Sequence, residues 1–432
     1  MNDSATGSPG VRPANQEKAD GASRVVVVGM PAAGHVNPSL PIVRELTSRG
    51  VEVIYYSSDE FRAAVEDTGC EFRAYPADAL GSADIAKATQ TGGPVRVVAR
   101  ILKATETLLP FLLSELKSER PAAVVFDSNA IWGRMAAASL GLPMISLMTT
   151  IMVGGKDFSC LTAREWLHFL REALPGVPAA RSAKRRVVQR FGKQSYPPAP
   201  SLPMRGDLTI FPVPSRMQSP NPRLDEHCRF VGPTISAERR DDRLDPELAA
   251  FVDGPEPLTL VSLGTLHTGS DAFFRACFEA LAELPARVLL TIGSHTDPAK
   301  LGPPPSNTLI RASVPQLDVL RRADVFVTHG GMNSALEGLA CGVPLVVVPQ
   351  QAEQLVIGRA VADRGAGVVL RHNLSNRPVP AAEVRAAVDR ALTDPSLRAA
   401  AREAGASISE EGGAVAAADA IQNHLRSRST HR

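Results

Sequence analysis

Several signatures are missing from this 432-residue chain, and each absence removes a class of function. No apolar run reaches the roughly 18 residues that a membrane-spanning helix needs. The five cysteines (Cys70, Cys160, Cys228, Cys277, Cys341) include no C-x-x-C pair, and the nine histidines show no H-x-x-x-H spacing. Neither a disulfide framework nor a familiar metal motif is indicated, and an odd, dispersed set of thiols fits a reducing compartment. No charge is in excess: 47 Lys and Arg face 45 Asp and Glu, and aromatic residues are only 5%. Nucleic-acid binding would show a basic surplus and stacking aromatics, so no nucleic-acid partner is expected. Residues 1–23 are polar, without the apolar stretch of a secretory signal. They read as a disordered lead-in, and the protein reads as cytoplasmic.

What is present is ordinary globular material. Hydrophobic residues are 44% and charged residues 21%. A chain of this length can bury sizeable cores without staples and suggests two or three domains. Order begins at RVVVVGM (24–30), a β-branched run ending in glycine, as a buried parallel strand does. The helix-like LPIVRELTSRG and the strand VEVIYYSS follow, which together make one βαβ unit. PAAVVFD, IWGRMAAASLG and LPMISLM repeat the theme at 121–148. From about 151 to 222 the text is irregular, with a helix-like CLTAREWLHFLREAL, a basic stretch and YPPAPSLP. A polar stretch then reads as a linker. A second series starts at PLTLVSLGT (257–265) and continues through RVLLTIG, NTLIRAS, DVFVTHGG and PLVVVP to a helical tail at roughly 381–425. The expected class is α/β, with two Rossmann-like domains at 24–225 and 246–410, a linker at 226–245 and a closing helix at 411–432. Ligands of such sheets bind beyond the carboxyl ends of the strands.

Four carboxyl-end loops stand out. GMPAAGHVNPSLP (29–41) is neither a P-loop nor G-x-G-x-x-G, because His35 and Val36 stand where Lys and Ser/Thr would be needed. It presents one imidazole, His35, just before a helix; a general base and a merely structural histidine are both open. Asp127 ends its strand, where it can orient His35 or belong to the cap of the next helix. VSLGT puts Ser262 and Thr265 at a small-residue turn suited to an anion, or simply to a turn. The fourth, THGGMNSALEGLACGVPLVVVPQQAEQ (328–354), is the richest. His329, two glycines (including Gly331), Asn333 and Ser334 gather at a helix start, where exposed amides and the dipole suit a diphosphate. Glu337 follows eight residues after His329, placed for vicinal hydroxyls such as a ribose. Glu353 and Gln354 follow the next strand and could read sugar hydroxyls.

This last segment, with GHVNP (34–38) and VPQLDVL (314–320), resembles the family 1 UDP-glycosyltransferases, most of all bacterial macrolide and flavonoid glycosyltransferases. The resemblance implies the GT-B fold, two facing Rossmann-like domains with the donor held mainly by the second. It places Val314 and Gln316 at the uracil, and Ser262, Thr265, His329, Asn333 and Ser334 at the diphosphate. It places Glu337 at the ribose and Glu353 and Gln354 at the hexose. His35 matches the base that deprotonates the acceptor hydroxyl, Asp127 matches its partner, and the last helix would cross back onto the first domain. One position departs: Ser313 stands where the family usually has an aromatic that stacks on the base, a contact worth about 1–3 kcal/mol.

The implied reaction is inverting transfer of a hexose, glucose foremost, from a UDP-sugar co-substrate to a hydroxyl of a hydrophobic small molecule. Macrolides, ansamycins, other polyketides and flavonoids fit that description. No D-x-D motif occurs, so neither a metal nor a resident cofactor is expected. A 2′-hydroxyl would give Glu337 a second donor, which favours uridine over thymidine nucleotides. The alternatives are a dTDP-deoxysugar transferase, a UDP-sugar 2-epimerase and a non-catalytic nucleotide-sugar-binding partner. The protein is expected as a monomer or homodimer. Phe158, Trp166 and Phe169 could line an acceptor pocket or fill helix cores. The basic stretch (181–193) reads as a solvated helix face, with membrane attachment a lesser alternative.

Overall fold

A computed structural model of the chain describes residues 24–199, 202–235, 244–264, 271–293 and 296–429. The expected disordered lead-in (1–23), residues 236–243 of the expected linker and Thr265 lie outside the described residues. Among the described residues, thirteen strands form two wholly parallel sheets. The first holds β1 (Arg24–Val28), β2 (Glu52–Ser57), β3 (Glu71–Ala74), β4 (Ala123–Asp127), β5 (Met144–Leu147), β6 (Leu208–Phe211) and β7 (Cys228–Phe230), in the order β3-β2-β1-β4-β5-β6-β7. The second holds β8 (Leu258–Ser262), β9 (Arg287–Thr291), β10 (Thr308–Arg311), β11 (Val325–Thr328), β12 (Leu345–Val347) and β13 (Gly367–Val369), in the order β10-β9-β8-β11-β12-β13.

The strands are apolar on both faces because helices cover both. Val26 and Val28 of β1 enter a core with Leu108 and Leu112 of the 38-residue helix Ser82–Glu119 and with Trp132 and Met135 of the helix Ile131–Ser139. Val25 and Val27 point the other way, as strand alternation requires. They meet Ile42 and Leu46 of the helix Leu40–Ser48, and Ala417, Ala418 and Ile421 of the last helix, Gly413–Ser429. The final helix therefore completes the core of the first sheet, and Arg49 ties it down through Asp419 (2.6 Å) and Gln422 (2.9 Å). The core of the second sheet is continuous with the first half of the chain, since Met148, Ile151, Met152 and Phe211 share a cluster with Leu260, Phe326 and Leu345.

Several elements differ from the sequence expectation. The long helix Ser82–Glu119 was not expected, because Pro94 and Pro110 lie inside it and proline ordinarily reads as a helix end. The stretch 151–222 is less irregular than it reads: it contains the helices Ala163–Ala173 and Val177–Phe191 and the strand β6. The first sheet runs on through β7 to Phe230, past the boundary expected at 225. The tail breaks into three helices, Ala381–Thr393, Pro395–Ile408 and Gly413–Ser429.

Ile421 is fully buried at the junction of the last helix and the first sheet. Ile421→Ala is expected to cost about 2–5 kcal/mol in urea unfolding of the whole chain. A loss below about 1 kcal/mol would show that this helix is not part of that core.

Candidate functional site

Each sheet reverses its strand order once, and the two reversals set the site. In the first sheet the order departs in opposite directions from β1 and β4, which are paired. In the second it departs from β8 and β11, with Thr328 opposite Ser262. At such a switch point the loops leave to opposite sides and open a crevice at the carboxyl ends. His35 follows β1, Asp127 ends β4, Ser262 ends β8 and His329 follows β11.

In the first crevice His35 and Asp127 meet. His35 lies in the short helix Ala33–Val36, and its Nδ1 is 2.8 Å from Asp127 Oδ2. The Asp127 carboxylate is 4% exposed, and its Oδ1 accepts the Asn129 backbone N–H at 2.8 Å. A carboxylate can only accept, so the proton of a neutral imidazole sits on Nδ1 and Nε2 is left as the basic nitrogen. Thr149 Oγ1, just beyond β5, is a second neighbour of Nδ1 at 3.2 Å. Burial favours the neutral ring. The charge of Asp127, its hydrogen bond and the charge of Glu353 outweigh burial and raise the imidazole above its usual 6.5. The pair can take a proton from a hydroxyl and hold the resulting charge.

Glu353 belongs to the other half of the molecule, at the start of the helix Ala352–Ala362 after β12. Thr150 Oγ1 donates to Glu353 Oε1, joining the halves directly. Burial pushes the Glu353 carboxyl up, against the opposing effects of the Thr150 hydrogen bond and the His35 charge. A second link runs from Asn333 Nδ2 to the Gly34 carbonyl, 2.6 Å. It sets the start of the helix Met332–Ala340 against the loop that carries His35. Gly331 is the N-cap of that helix and supplies no side-chain cap, so the amides of its first turn keep the anion-binding capacity typical of a helix start. A third link is bidentate: Arg371 reaches both carboxylate oxygens of the buried Glu165, at 2.8 and 2.6 Å.

The remaining residues that the resemblance assigns to the donor fall along the second crevice. Gln316 Nε2 donates to Glu337 Oε2 at 2.7 Å and to Ser334 Oγ at 3.3 Å, so three of the residues singled out in the sequence form one hydrogen-bonded group. Burial raises the Glu337 carboxyl, with the Gln316 bond opposing. The His329 ring is wedged between Gly264 and Gly331; a Cβ on Gly264, whose φ is +78°, would lie 2.7 Å from its Cε1. Val314 packs against the second core, Ser262 ends its strand buried, and Ser313 is exposed. Gln354, which the resemblance assigns to the hexose, has a structural role as well. Its Oε1 caps its own helix, accepting the N–H of Gln350 (2.7 Å) and Gln351 (3.2 Å). Sequence reasoning passed over Thr149 and Thr150. Their position directly after a strand at the carboxyl edge, like that of Asp127, was the available signal. Glu165 and Arg371 carried no signal, being 206 residues apart. Among the described residues, no three His, Cys, Asp or Glu side chains group as a metal site, and no helix is long and apolar enough to cross a membrane.

Two facing parallel sheets with an imidazole–carboxylate pair on one side and an anion-suited helix start on the other define a glycosyltransferase of the GT-B type. Comparison with known proteins agrees. Residues 202–403 match the family described as UDP-glucoronosyl and UDP-glucosyl transferase. An uncharacterized UDP-glucosyltransferase of Bacillus subtilis, YojK, is 30% identical over 94% of this chain and 98% of its own length. The oleandomycin glycosyltransferase of Streptomyces antibioticus is 31% identical over 94% of this chain and 92% of its own. The solved structure of the glycotransferase of kitacinnamycin superposes with a TM-score of 0.75 at 29% identity, covering 93% of this chain and 98% of that one. The chain belongs to this family and is a hexosyl-transferring enzyme.

The electrostatics are open to direct titration. Followed by NMR, the His35 imidazole should titrate above 6.5 in the native chain and lower in both Asp127→Asn and Glu353→Gln, with the larger drop in Asp127→Asn. An unchanged midpoint in Glu353→Gln would mean that the two halves do not approach at this point.

Proposed function

We propose that the enzyme moves glucose from UDP-glucose to a hydroxyl of a hydrophobic natural product, with inversion at the anomeric carbon and without a metal ion. One observation carries this reading: the basic Nε2 of His35 and the sugar-side carboxylate Glu353 belong to opposite halves yet share one cleft, bridged by Thr150. The acceptor hydroxyl donates a hydrogen bond to Nε2. As its oxygen attacks the anomeric carbon, Nε2 takes the proton and Asp127 stabilises the imidazolium. The bond from the anomeric carbon to the diphosphate oxygen breaks, and the negative charge on the leaving diphosphate develops toward the helix start at Gly331, Asn333 and Ser334. In this reading Asn333 exchanges the Gly34 carbonyl for diphosphate oxygen. A single displacement turns an α-linked donor into a β-glycoside.

Uridine is favoured because Glu337, held by Gln316, can accept from both ribose hydroxyls, and a thymidine nucleotide lacks one of them. The relative named for UDP-glucose supports the same donor. Exposed Ser313 gives the base no stacking face, so base recognition falls to the Val314–Gln316 segment. The oleandomycin relative supports a macrolide-like acceptor. The aromatic group Phe158, Trp166 and Phe169, with ring centroids 5.8–6.4 Å apart, follows Thr149 and Thr150 in the chain and offers the acceptor an apolar surface.

His35→Ala should lower turnover by about 10²–10⁴-fold while UDP affinity, measured by calorimetry, stays within about twofold. Turnover close to wild type would remove His35 from the chemistry. The base works only when neutral, so kcat/KM should rise as pH climbs through a midpoint above 6.5. UDP-glucose should outperform dTDP-glucose against a panel of hydrophobic acceptors followed by mass spectrometry. The opposite preference would reassign the donor.

A further inference from the structure

Four of the five large hydrophobic side chains exposed among the described residues fall within nine consecutive positions: Trp166 (37%), Leu167 (60%), Leu170 (43%) and Leu174 (61%). Three lie on the helix Ala163–Ala173, and Leu174 begins the turn that follows. At about 100° per residue, positions 166, 167, 170 and 174 form one stripe, and Glu165 lies on the opposite side. Glu165 is buried, as is Ala173, and is fixed by Arg371 and by the Thr162 N–H. The helix is thus seated by its carboxylate and turns its apolar stripe to water. A concentrated apolar patch of this kind marks an interaction surface.

The charge around the stripe says what would cover it. Residues 163–193 hold eight Lys and Arg against two Glu, in a chain whose overall net charge is only +2. All eight cations are exposed. On the same turn geometry Arg164 and Arg171 border the stripe, five more continue along the helix Val177–Phe191, and Lys193 follows its end. A cavity of about 470 Å³ between that helix and Ser82–Glu119 adds Lys87, Arg96 and Lys103 to its rim. A second copy of this chain docking through the same face would set these cations against their like. Residues 1–23 contain no aromatic residue, leucine or isoleucine to fill the stripe. A Trp/Leu stripe beside long cationic side chains is instead the composition of a helix lying in a lipid interface, where the apolar face enters the acyl boundary and the cations reach the headgroups.

We propose that the face formed by residues 163–193 docks on the surface of an anionic lipid bilayer. The docking is peripheral and rests on no reading of the donor or of the base.

The test is co-sedimentation of the full chain with phosphatidylcholine vesicles made with and without phosphatidylglycerol. The native chain should sediment with the phosphatidylglycerol vesicles at low salt, and less as salt rises. Leu167→Glu/Leu170→Glu and Arg181→Glu/Arg185→Glu should each weaken partitioning about tenfold or more, while Val415→Glu, at the fifth exposed position, should not change it. Thermal melts of all variants identify any that fail to fold. These four substituted positions are already exposed, and circular dichroism at the assay temperature gives a second check. No sedimentation at low salt, equal binding with and without phosphatidylglycerol, or native-like partitioning of both double variants would overturn the proposal. So would a native dimer that Leu167→Glu/Leu170→Glu makes monomeric, or retention on immobilised polyglutamate without vesicle binding. Those last two results would assign the face to a second copy and to an acidic protein, respectively.

Discussion

A carboxylate almost wholly removed from water has to be satisfied, and Asp127 is satisfied by a backbone amide and the His35 ring. The cost of leaving such a group unpaired fixes the rest of the site. It locks the imidazole to one orientation and one tautomer, with its basic nitrogen directed away from the carboxylate. It also requires that β1 and β4 be neighbours, which the strand order provides. The chemistry is therefore a consequence of topology: the pair forms where the first sheet changes direction, as ligand crevices of parallel sheets generally do.

The same constraint acts across the molecule. Glu353 adds negative potential to His35 from the second domain, and it can do so only while the two halves stay close. The polar links between them include Thr150 to Glu353, Asn333 to Gly34 and Arg371 to Glu165, above a shared apolar cluster. The first two use residues that the proposed function assigns to the donor, so in that reading binding of a nucleotide sugar competes with contacts between the domains. The third lies outside the crevices and leaves the alignment of the halves in place. The last helix, packed on the first sheet, adds a covalent tether between the domains.

Much of this was legible in the sequence. The β-branched runs at 24–28, 123–127 and 325–328 read as buried strands and are β1, β4 and β11, because a parallel strand covered on both faces has to be apolar throughout. The loops after them read as the chemical ones because polar residues crowd there against that background. The helix Ser82–Glu119 was not legible, since two prolines and a pair of glycines break its pattern locally while packing on the first sheet sustains it. The capping role of Gln354 was not legible for a related reason: a glutamine three residues after a helix boundary can cap the helix as well as face a ligand, and the backbone geometry is what reveals the cap. The links between domains join residues some 200–300 positions apart, a separation at which no local periodicity carries information.

The central claim is that His35 Nε2 faces the hydroxyl that attacks the sugar. The most direct measurement is a crystal structure of the protein with an unreactive 2-fluoro analogue of UDP-glucose and a hydroxylated hydrophobic acceptor bound together. The account predicts the acceptor oxygen at about 2.6–3.2 Å from Nε2, with Nδ1 still on Asp127 and the diphosphate against the helix start at Gly331. An acceptor hydroxyl bound out of reach of that nitrogen, with the anomeric carbon facing another group, would contradict it.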